Sequence, residues 1–430
     1  MANIKNFVLV CLLLQMACTT KTTKEIGTKT EPQPVLTDTL IAEQLPDTVA
    51  IPAPPKPEGI AVGAARVGEY LPLLAGQGVA LVVNQTSTIG EVHLADTLQS
   101  LGIAVRVIFA PEHGFRGQAD AGEKITDGRD PKTGIPIISL YGKKKKPTAE
   151  DLKDVSWVIF DIQDVGARFY TYILTMHYVM EACAETGIRL MVLDRPNPNG
   201  NYMDGPVLKP GFQSFVGIHP VPIVHGMTIG EYAGMINGER WLKDSLQCRL
   251  TVIPVNNYHH GRIYDLPIKP SPNLPNDRSI YLYPSLCLFE GTVVSVGRGT
   301  DKQFQVYGHP DSPLGNYYFT PEPKPGATQP PLQGLRCRGF DLSNLPADSL
   351  FHAAQINLGY LIDFYQAFPD KSGFFLKNNF IDKLAGSDEL RKQIIEGKTE
   401  AEIRAGWEAD LSQFKKTRAK YLLYPDGNDW

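Results

Sequence analysis

Four short polar clusters carry the residue types that catalysis draws on: Asn84-Gln85-Thr86, residues 111–117 (PEHGFRG), residues 161–170 (DIQDVGARFY) and residues 194–198 (DRPNP). In the second cluster Glu112 stands beside His113, with Arg116 close behind, while Gly114 and Gly117 let backbone approach a ligand. A carboxyl group so placed serves as general acid or base when its neighbours tune it, or else simply pairs with Arg116. Asp161 and Asp164 add carboxylates, with Gln163, Arg168 and Tyr170 next to them. Cleavage of a glycosidic bond needs two such groups, one as acid and one as base or nucleophile. Glu112 closes an apolar run (105–110), a setting that favours the protonated form, so it is the expected acid. Asp164, four residues before Arg168, is the expected ionised partner, with Asp161 as alternate. The same acids and His113 could hold a metal, but no HExxH or other tight ligand spacing is present, and none is expected. Arg168 and Arg195 either clamp these acids or grip a substrate carboxylate through a bidentate fork.

Such clusters need a frame to bring them together. Apolar runs at 79–83, 105–109, 157–160 and 189–193 each lead directly into one of them, and a further run covers 137–140. Helical periodicity covers 94–101, stopped by Gly102, and 172–185, stopped by Gly187. Near-continuous apolar strands separated by helices predict an α/β fold, with a mostly parallel sheet covered on both faces. Ligands bind such sheets beyond the carboxyl ends of the strands, where these clusters fall. Loops serving only solubility would be rich in Lys, Glu and Ser, so a shared site is expected. Neither GxGxxG nor GxxxxGK[ST] follows a strand, and no nucleotide cofactor is indicated.

A second region begins near residue 267 with a rigid turn, PSPNLP (270–275). Strand-like pieces at 286–292 and 295–300 bring Glu290, Gly291, Arg298 and Gly299, and helices are expected over 352–368 and 401–421. These predict a Rossmann-like domain over 58–266 and a smaller α+β domain over 267–430 that closes over it.

The 430 residues are 43% hydrophobic and 20% charged with net charge −4, a balance that excludes wholesale disorder and offers no basic face to nucleic acid. Residues 1–17 read as a secretory signal: Lys5, an apolar run at 7–14, then Ala17 directly before Cys18. The cysteine resembles a lipobox, although Leu14 stands four residues before it and Gln15 three. Acylation of Cys18 is expected, with the Pro/Thr-rich stretch 18–57 as tether, giving an exported protein anchored to a bacterial membrane and facing the periplasm. Cys183, Cys248, Cys287 and Cys337 are widely spaced and are expected as buried free thiols. The lysine run 143–146 reads as a solvated loop.

The blocks VNQTS (83–87), FAPEHGFRG (109–117), DIQDVGARFYTY (161–172), LDRPNPNG (193–200), HGMTIGE (225–231), SPNLP (271–275), CLFEGT (287–292) and VGRGT (296–300) resemble, in order, the NamZ-type (YbbC-like) exo-β-N-acetylmuramidases, a glycoside hydrolase family. The resemblance implies a Rossmann-like domain, a smaller C-terminal domain and an active-site cleft between them. It implies release of N-acetylmuramic acid, without cofactor, from non-reducing ends of peptidoglycan oligosaccharides or muropeptides. On these blocks Asn84, Arg116, Gln163, Arg168, Tyr170, Asp194, Arg195, Asn197, His225, Glu231, Asn273, Glu290, Arg298 and Thr300 are expected to bind substrate, and Glu112, His113, Asp161 and Asp164 to do the chemistry. Muramic acid carries a lactyl carboxylate that glucosamine lacks, so Arg116, Arg168, Arg195 and Arg298 are the candidates to recognise it. Two other readings of the residues are a non-catalytic binder of cell-wall sugar and a metal-dependent hydrolase.

Overall fold

Each apolar run is a strand, and the strands lie side by side. The computed structural model, which describes residues 59–112, 114–115 and 127–427, contains a seven-stranded sheet. Its strands are β1 (Gly78–Val83), β2 (Ala104–Ala110), β3 (Gly128–Arg129), β4 (Pro136–Ser139), β5 (Trp157–Asp161), β6 (Arg189–Leu193) and β7 (Arg249–Ile253). They run in the order β3-β4-β2-β1-β5-β6-β7, all parallel except the short edge strand β3. The chain therefore builds outward from β1 in one direction through β2 and β4, then returns to its other side for β5, β6 and β7. The carboxyl ends of β1 and β5 flank that reversal, which is where a crevice opens in such sheets.

Alternate side chains feed two cores. Val79, Leu81 and Val83 pack with Tyr70 and Leu74 of α1 (Val67–Leu74) and Leu94 and Leu98 of α2 (Leu94–Ser100). Ala80, Val82, Val158 and Phe160 face the other way, onto α3 (Tyr172–Thr186) and α4 (Ile229–Gly238). Burial of both faces is why the strands read as unbroken apolar runs. α3 stops where expected, with Gly187 at φ +74° taking the left-handed turn that ends it.

The second core continues into the C-terminal region without interruption. It takes in Leu282 and Leu286 of α5 (Asp277–Leu286), Leu361 and Phe364 from the helices that follow, and Ile403 and Phe414 near the end. Those helices are α6 (Ala347–Ala353), α7 (Gly359–Ala367), α8 (Phe380–Ala385), α9 (Glu389–Ile395), α10 (Glu400–Ala405) and α11 (Glu408–Arg418). A small antiparallel sheet of β8 (Val306–His309), β9 (Tyr317–Phe319) and β10 (Cys337–Asp341) sits among them in the order β8-β10-β9. The described residues from 59 to 427 pack as one compact unit.

Several expectations are corrected. Residues 286–292 are not a strand: α5 runs on into a 3-10 helix, Cys287–Gly291, and 295–300 is a loop. Leu286, Cys287, Leu288 and Phe289 are all buried, so the run has no alternation to tell strand from helix. The helix expected over 352–368 is split by Ala354, which is left-handed at φ +47°. The one over 401–421 breaks at Gly406-Trp407. The lysine run is more than a solvated loop, because Lys144 pairs with Asp151 at 2.7 Å and Lys146 with Glu181 and Glu185 at 2.6 and 2.8 Å. Cys183, Cys248, Cys287 and Cys337 are free and buried.

Candidate active site

The loops at the reversal point are stitched to each other before they reach any ligand. After β1, Asn84 Oδ1 accepts from the backbone N and hydroxyl of Thr86 at 2.9 and 2.6 Å. The Thr86 hydroxyl in turn accepts from Gln163 N at 3.0 Å, in the loop after β5. The Ser87 hydroxyl donates to the Asp161 carbonyl. Gln85 and Tyr170 both donate to the Pro270 carbonyl, at 3.0 and 2.9 Å, so the rigid turn of the C-terminal region is tied to the same point.

Most of the charged residues at the strand ends are consumed by this stitching. Asp161 is fully buried in a bidentate pair with Arg195, at 2.5 and 2.9 Å. Gln163 Nε2 donates to the Asp164 and Pro196 carbonyls at 2.8 and 2.7 Å. Arg168, 3% exposed, donates to the carbonyls of Pro206, Val221 and Leu384 at 2.7–2.9 Å, and burial without a carboxylate pushes its guanidinium down to about 9. Asp194 accepts from Gly230 N, the Thr228 hydroxyl and the Tyr424 hydroxyl at 2.8, 2.7 and 2.5 Å, and burial pushes it up to about 6. Glu231 closes the capping box of α4 with Thr228 and also accepts from His260 and Leu423 N at 3.1 and 2.8 Å. Asn197 holds Met227 O at 2.9 Å and packs against Gly166, where φ is +78° and an added Cβ would lie 2.3 Å from the Asn197 side chain.

Asp164 stands apart in this group. One of its oxygens accepts from Gly166 N at 2.7 Å, the other has no hydrogen-bond partner, and burial pushes the carboxyl up to about 7. His225 Nε2 lies 3.9 Å away, too far for a hydrogen bond, and burial pushes that ring down to about 3. Burial opposes charge on both, so between about pH 3 and 7 the two meet as neutral groups, not as an ion pair.

The cleft lies on the outer side of these loops. It has a volume of about 280 Å³, and its walls come from the residues after β2, β4 and β5 on one side and from the C-terminal region on the other. Glu112 enters it half-buried, accepting from the Thr171 hydroxyl at 2.7 Å. The Tyr141 phenol lies against Glu112, and burial together with that carboxylate pushes it up, so it remains a donor. Glu290 also lines the cleft, delivered by the 3-10 helix after α5, with Arg298 Nε donating to it at 2.6 Å. The Arg298 turn is held by the Thr300 hydroxyl, which donates to Gly297 O at 2.7 Å. Asn273, only 2% exposed, donates through Nδ2 to Gly326 O at 2.8 Å and leaves its Oδ1 buried and without a partner. Tyr170, Tyr172 and Tyr283 form the aromatic floor.

Of the residues singled out from the sequence, Glu112, Tyr170, Asn273, Glu290 and Arg298 come together in the cleft. Asp161, Asp164, Gln163, Arg168, Asp194, Arg195, Asn197, His225 and Glu231 lie buried, and Asn84 and Thr300 shape turns. Asp161 and Asp164 are buried and do not line the cleft, whereas Glu290 lines it together with Glu112. His113, Arg116 and Cys18 lie outside the described residues. Tyr141, Thr171 and Tyr172 were not singled out, although Tyr141 directly follows a strand and the other two close the DIQDVGARFYTY block. Among the described residues no three His, Cys, Asp or Glu side chains gather as a metal site.

Residues 79–278 match the family model described as Exo-beta-N-acetylmuramidase NamZ, N-terminal, and residues 281–424 match its C-terminal counterpart. The chain is 40% identical over 376 residues to the peptidoglycan beta-N-acetylmuramidase NamZ of Bacillus subtilis (strain 168), covering 83% of this chain and 89% of that one. Two crystal structures of DUF1343 family proteins from Bacteroides fragilis NCTC 9343 are similar throughout. BF0379 has a TM-score of 0.80 at 49% identity over 86% of this chain and 100% of its own. BF0371 has a TM-score of 0.72 at 28% identity over 85% of this chain and 99% of its own.

Proposed function

From the membership of this chain in the NamZ family of exo-β-N-acetylmuramidases, we propose that Glu112 and Glu290 are the carboxylates with which it releases N-acetylmuramic acid from the non-reducing ends of peptidoglycan fragments. The chain is a glycoside hydrolase of peptidoglycan recycling. The observation that carries the residue assignment is the cleft itself, which both carboxylates line together with Tyr170, Tyr172 and Tyr283.

The two acids have different surroundings. Glu290 is held by the Arg298 guanidinium, whose Nε donates to it at 2.6 Å. Glu112 is held by the Thr171 hydroxyl and faces a phenol that stays protonated. A hydroxyl neighbour accommodates either form of the carboxyl group, so Glu112 is the one suited to carry a proton to the departing glycosidic oxygen. Glu290 then acts on the anomeric carbon from across the sugar, directly or through water. Asn273 Oδ1, a buried acceptor fixed by its own amide, suits an N–H or O–H of the sugar.

The test uses Glu112→Gln on two substrates, a nitrophenyl β-muramide and a muramic acid–glucosamine disaccharide. Loss of a general acid costs about 10²–10⁴ in rate on the disaccharide and far less where the leaving group needs no proton. Equal losses on both substrates move Glu112 to the nucleophile or base role, and no loss on either removes it. Absence of turnover of any muramide by the wild type would return the molecule to a sugar binder.

The anchor belongs to the same reading. Ala17-Cys18 and the proline-rich stretch after it support a lipid-anchored, exported enzyme that meets its substrate at the cell wall. Cys18→Ala is expected to move the protein from the membrane to the soluble fraction. Unchanged partitioning, with no acyl mass at the mature N-terminus, overturns this.

A further inference from the structure

Resting on the muramidase reading, we propose that Arg298 is the specificity-determining residue that binds the lactyl carboxylate of muramic acid. That carboxylate enters a cleft already holding two acids, Glu112 and Glu290. Its desolvation and their repulsion both oppose entry unless a cation or a set of N–H donors meets it. Among the described arginines of the sequence blocks, two are already committed. Arg168 has both Nη atoms on carbonyl oxygens, and Arg195 grips Asp161 through Nε and Nη2; both are 3% exposed.

Arg298 differs in geometry. Its Nε is bound to Glu290 at 2.6 Å and its guanidinium lies 5.0 Å over the Phe304 ring. Two contacts on one edge and one face fix the plane of the fork. Among the described residues neither Nη atom has a protein hydrogen bond, and the side chain keeps 19% of its surface exposed. The remaining edge therefore offers two parallel N–H donors, the arrangement a carboxylate accepts best. Behind Arg298 lies a second recess, walled by Val294, Val296, Leu332, Leu376 and Phe380, which it shares with Glu290. An apolar flank limits how well water can compete for the cation, so a charge-assisted bond formed there is worth more than one on an open surface. One side chain thus serves two anions, the enzyme's carboxylate through Nε and the substrate's through Nη.

Arg298 also supports Glu290, so the experiment must cancel that effect. The measurement is kcat/KM for a nitrophenyl β-N-acetylmuramide and for its lactyl methyl ester, in the wild type, Arg298→Gln and Arg298→Lys. The expected wild-type preference for the acid over the ester is about ten- to a hundredfold. In Arg298→Gln both substrates slow, but the ratio falls to near one. Arg298→Lys, which keeps the charge and loses the fork, gives a ratio between the two. A ratio unchanged in both variants overturns the proposal, as does a wild type that does not distinguish acid from ester. Neither result touches the hydrolase reading, which fails only if the wild type turns over no muramide at all.

Discussion

Two charged regions of this molecule have opposite energetic roles. At the carboxyl ends of β5 and β6, Asp161, Asp194 and Arg195 have their hydrogen bonds directed into the protein. On the cleft wall, Asn273 and Arg298 are equally well positioned, but Asn273 leaves its Oδ1 and Arg298 its Nη edge unspent. A buried charge whose valences are all met gives rigidity and no reactivity. A charge half-satisfied by the protein is held in position while the rest of its capacity is left for a ligand. The difference lies in unspent hydrogen-bonding capacity, not in residue type or burial alone.

That contrast can be broken by mutation, beginning with the cleft. Glu290→Gln is expected to lower kcat by about 10²–10⁴ while leaving the thermal midpoint within a few degrees, because its partner Arg298 is not sealed from water. A large loss of stability with little loss of rate would reverse the roles assigned to the two regions. Asp161→Ala is expected to do the opposite. It strands the Arg195 guanidinium, 3% exposed, and breaking such a pair costs about 3–5 kcal/mol by urea unfolding, while the molecules that remain folded keep their turnover.

Asp164 gives a subtler separation, in its dependence on pH. Burial raises its carboxyl from 3.8 to about 7, so the folded state holds a proton that the unfolded chain has lost. Its contribution to stability is complete below pH 3.8 and declines as pH rises to about 7. The decline amounts to about 4 kcal/mol at most. Asp164→Asn keeps the acceptor for Gly166 N and is expected to flatten that decline, so the variant gains on the wild type between pH 5 and 8. Parallel stability curves for the two proteins would show that the carboxyl is ionised in the fold. The smallest effect is expected at Asn273. Asn273→Ala removes one substrate contact, raising KM about five- to tenfold with kcat little changed. A kcat effect as large as that of Glu290→Gln would place Asn273 in the chemistry.

The sheet was legible because its strands are buried on both faces, so β1, β5 and β6 appear as apolar runs that need no partner to be recognised. The C-terminal region was less so. Ala354 interrupts helical periodicity only through its left-handed backbone, and the run 286–289 is buried on every side. For the site, the position of the clusters was readable but their facing was not. Glu112 and Arg168 lie at equivalent strand ends, yet one opens into the cleft and the other bonds Leu384 O, 216 residues away. Pairings of that range leave no local trace in composition or spacing. Glu290 reads from the sequence only as a binding residue, because the cleft it shares with Glu112 joins segments 178 residues apart in the chain.

The hold of Asp194 and Glu231 on Leu423 and Tyr424 also has a bearing on the order of synthesis. Those two carboxylates sit at the end of β6 and in the first turn of α4, but the tyrosine hydroxyl and backbone amides that complete their hydrogen bonding are translated about two hundred residues later. A nascent chain stopped short of residue 423 carries two acids at its centre with part of their hydrogen bonding missing, and the native sheet is destabilised until the ribosome has passed that point.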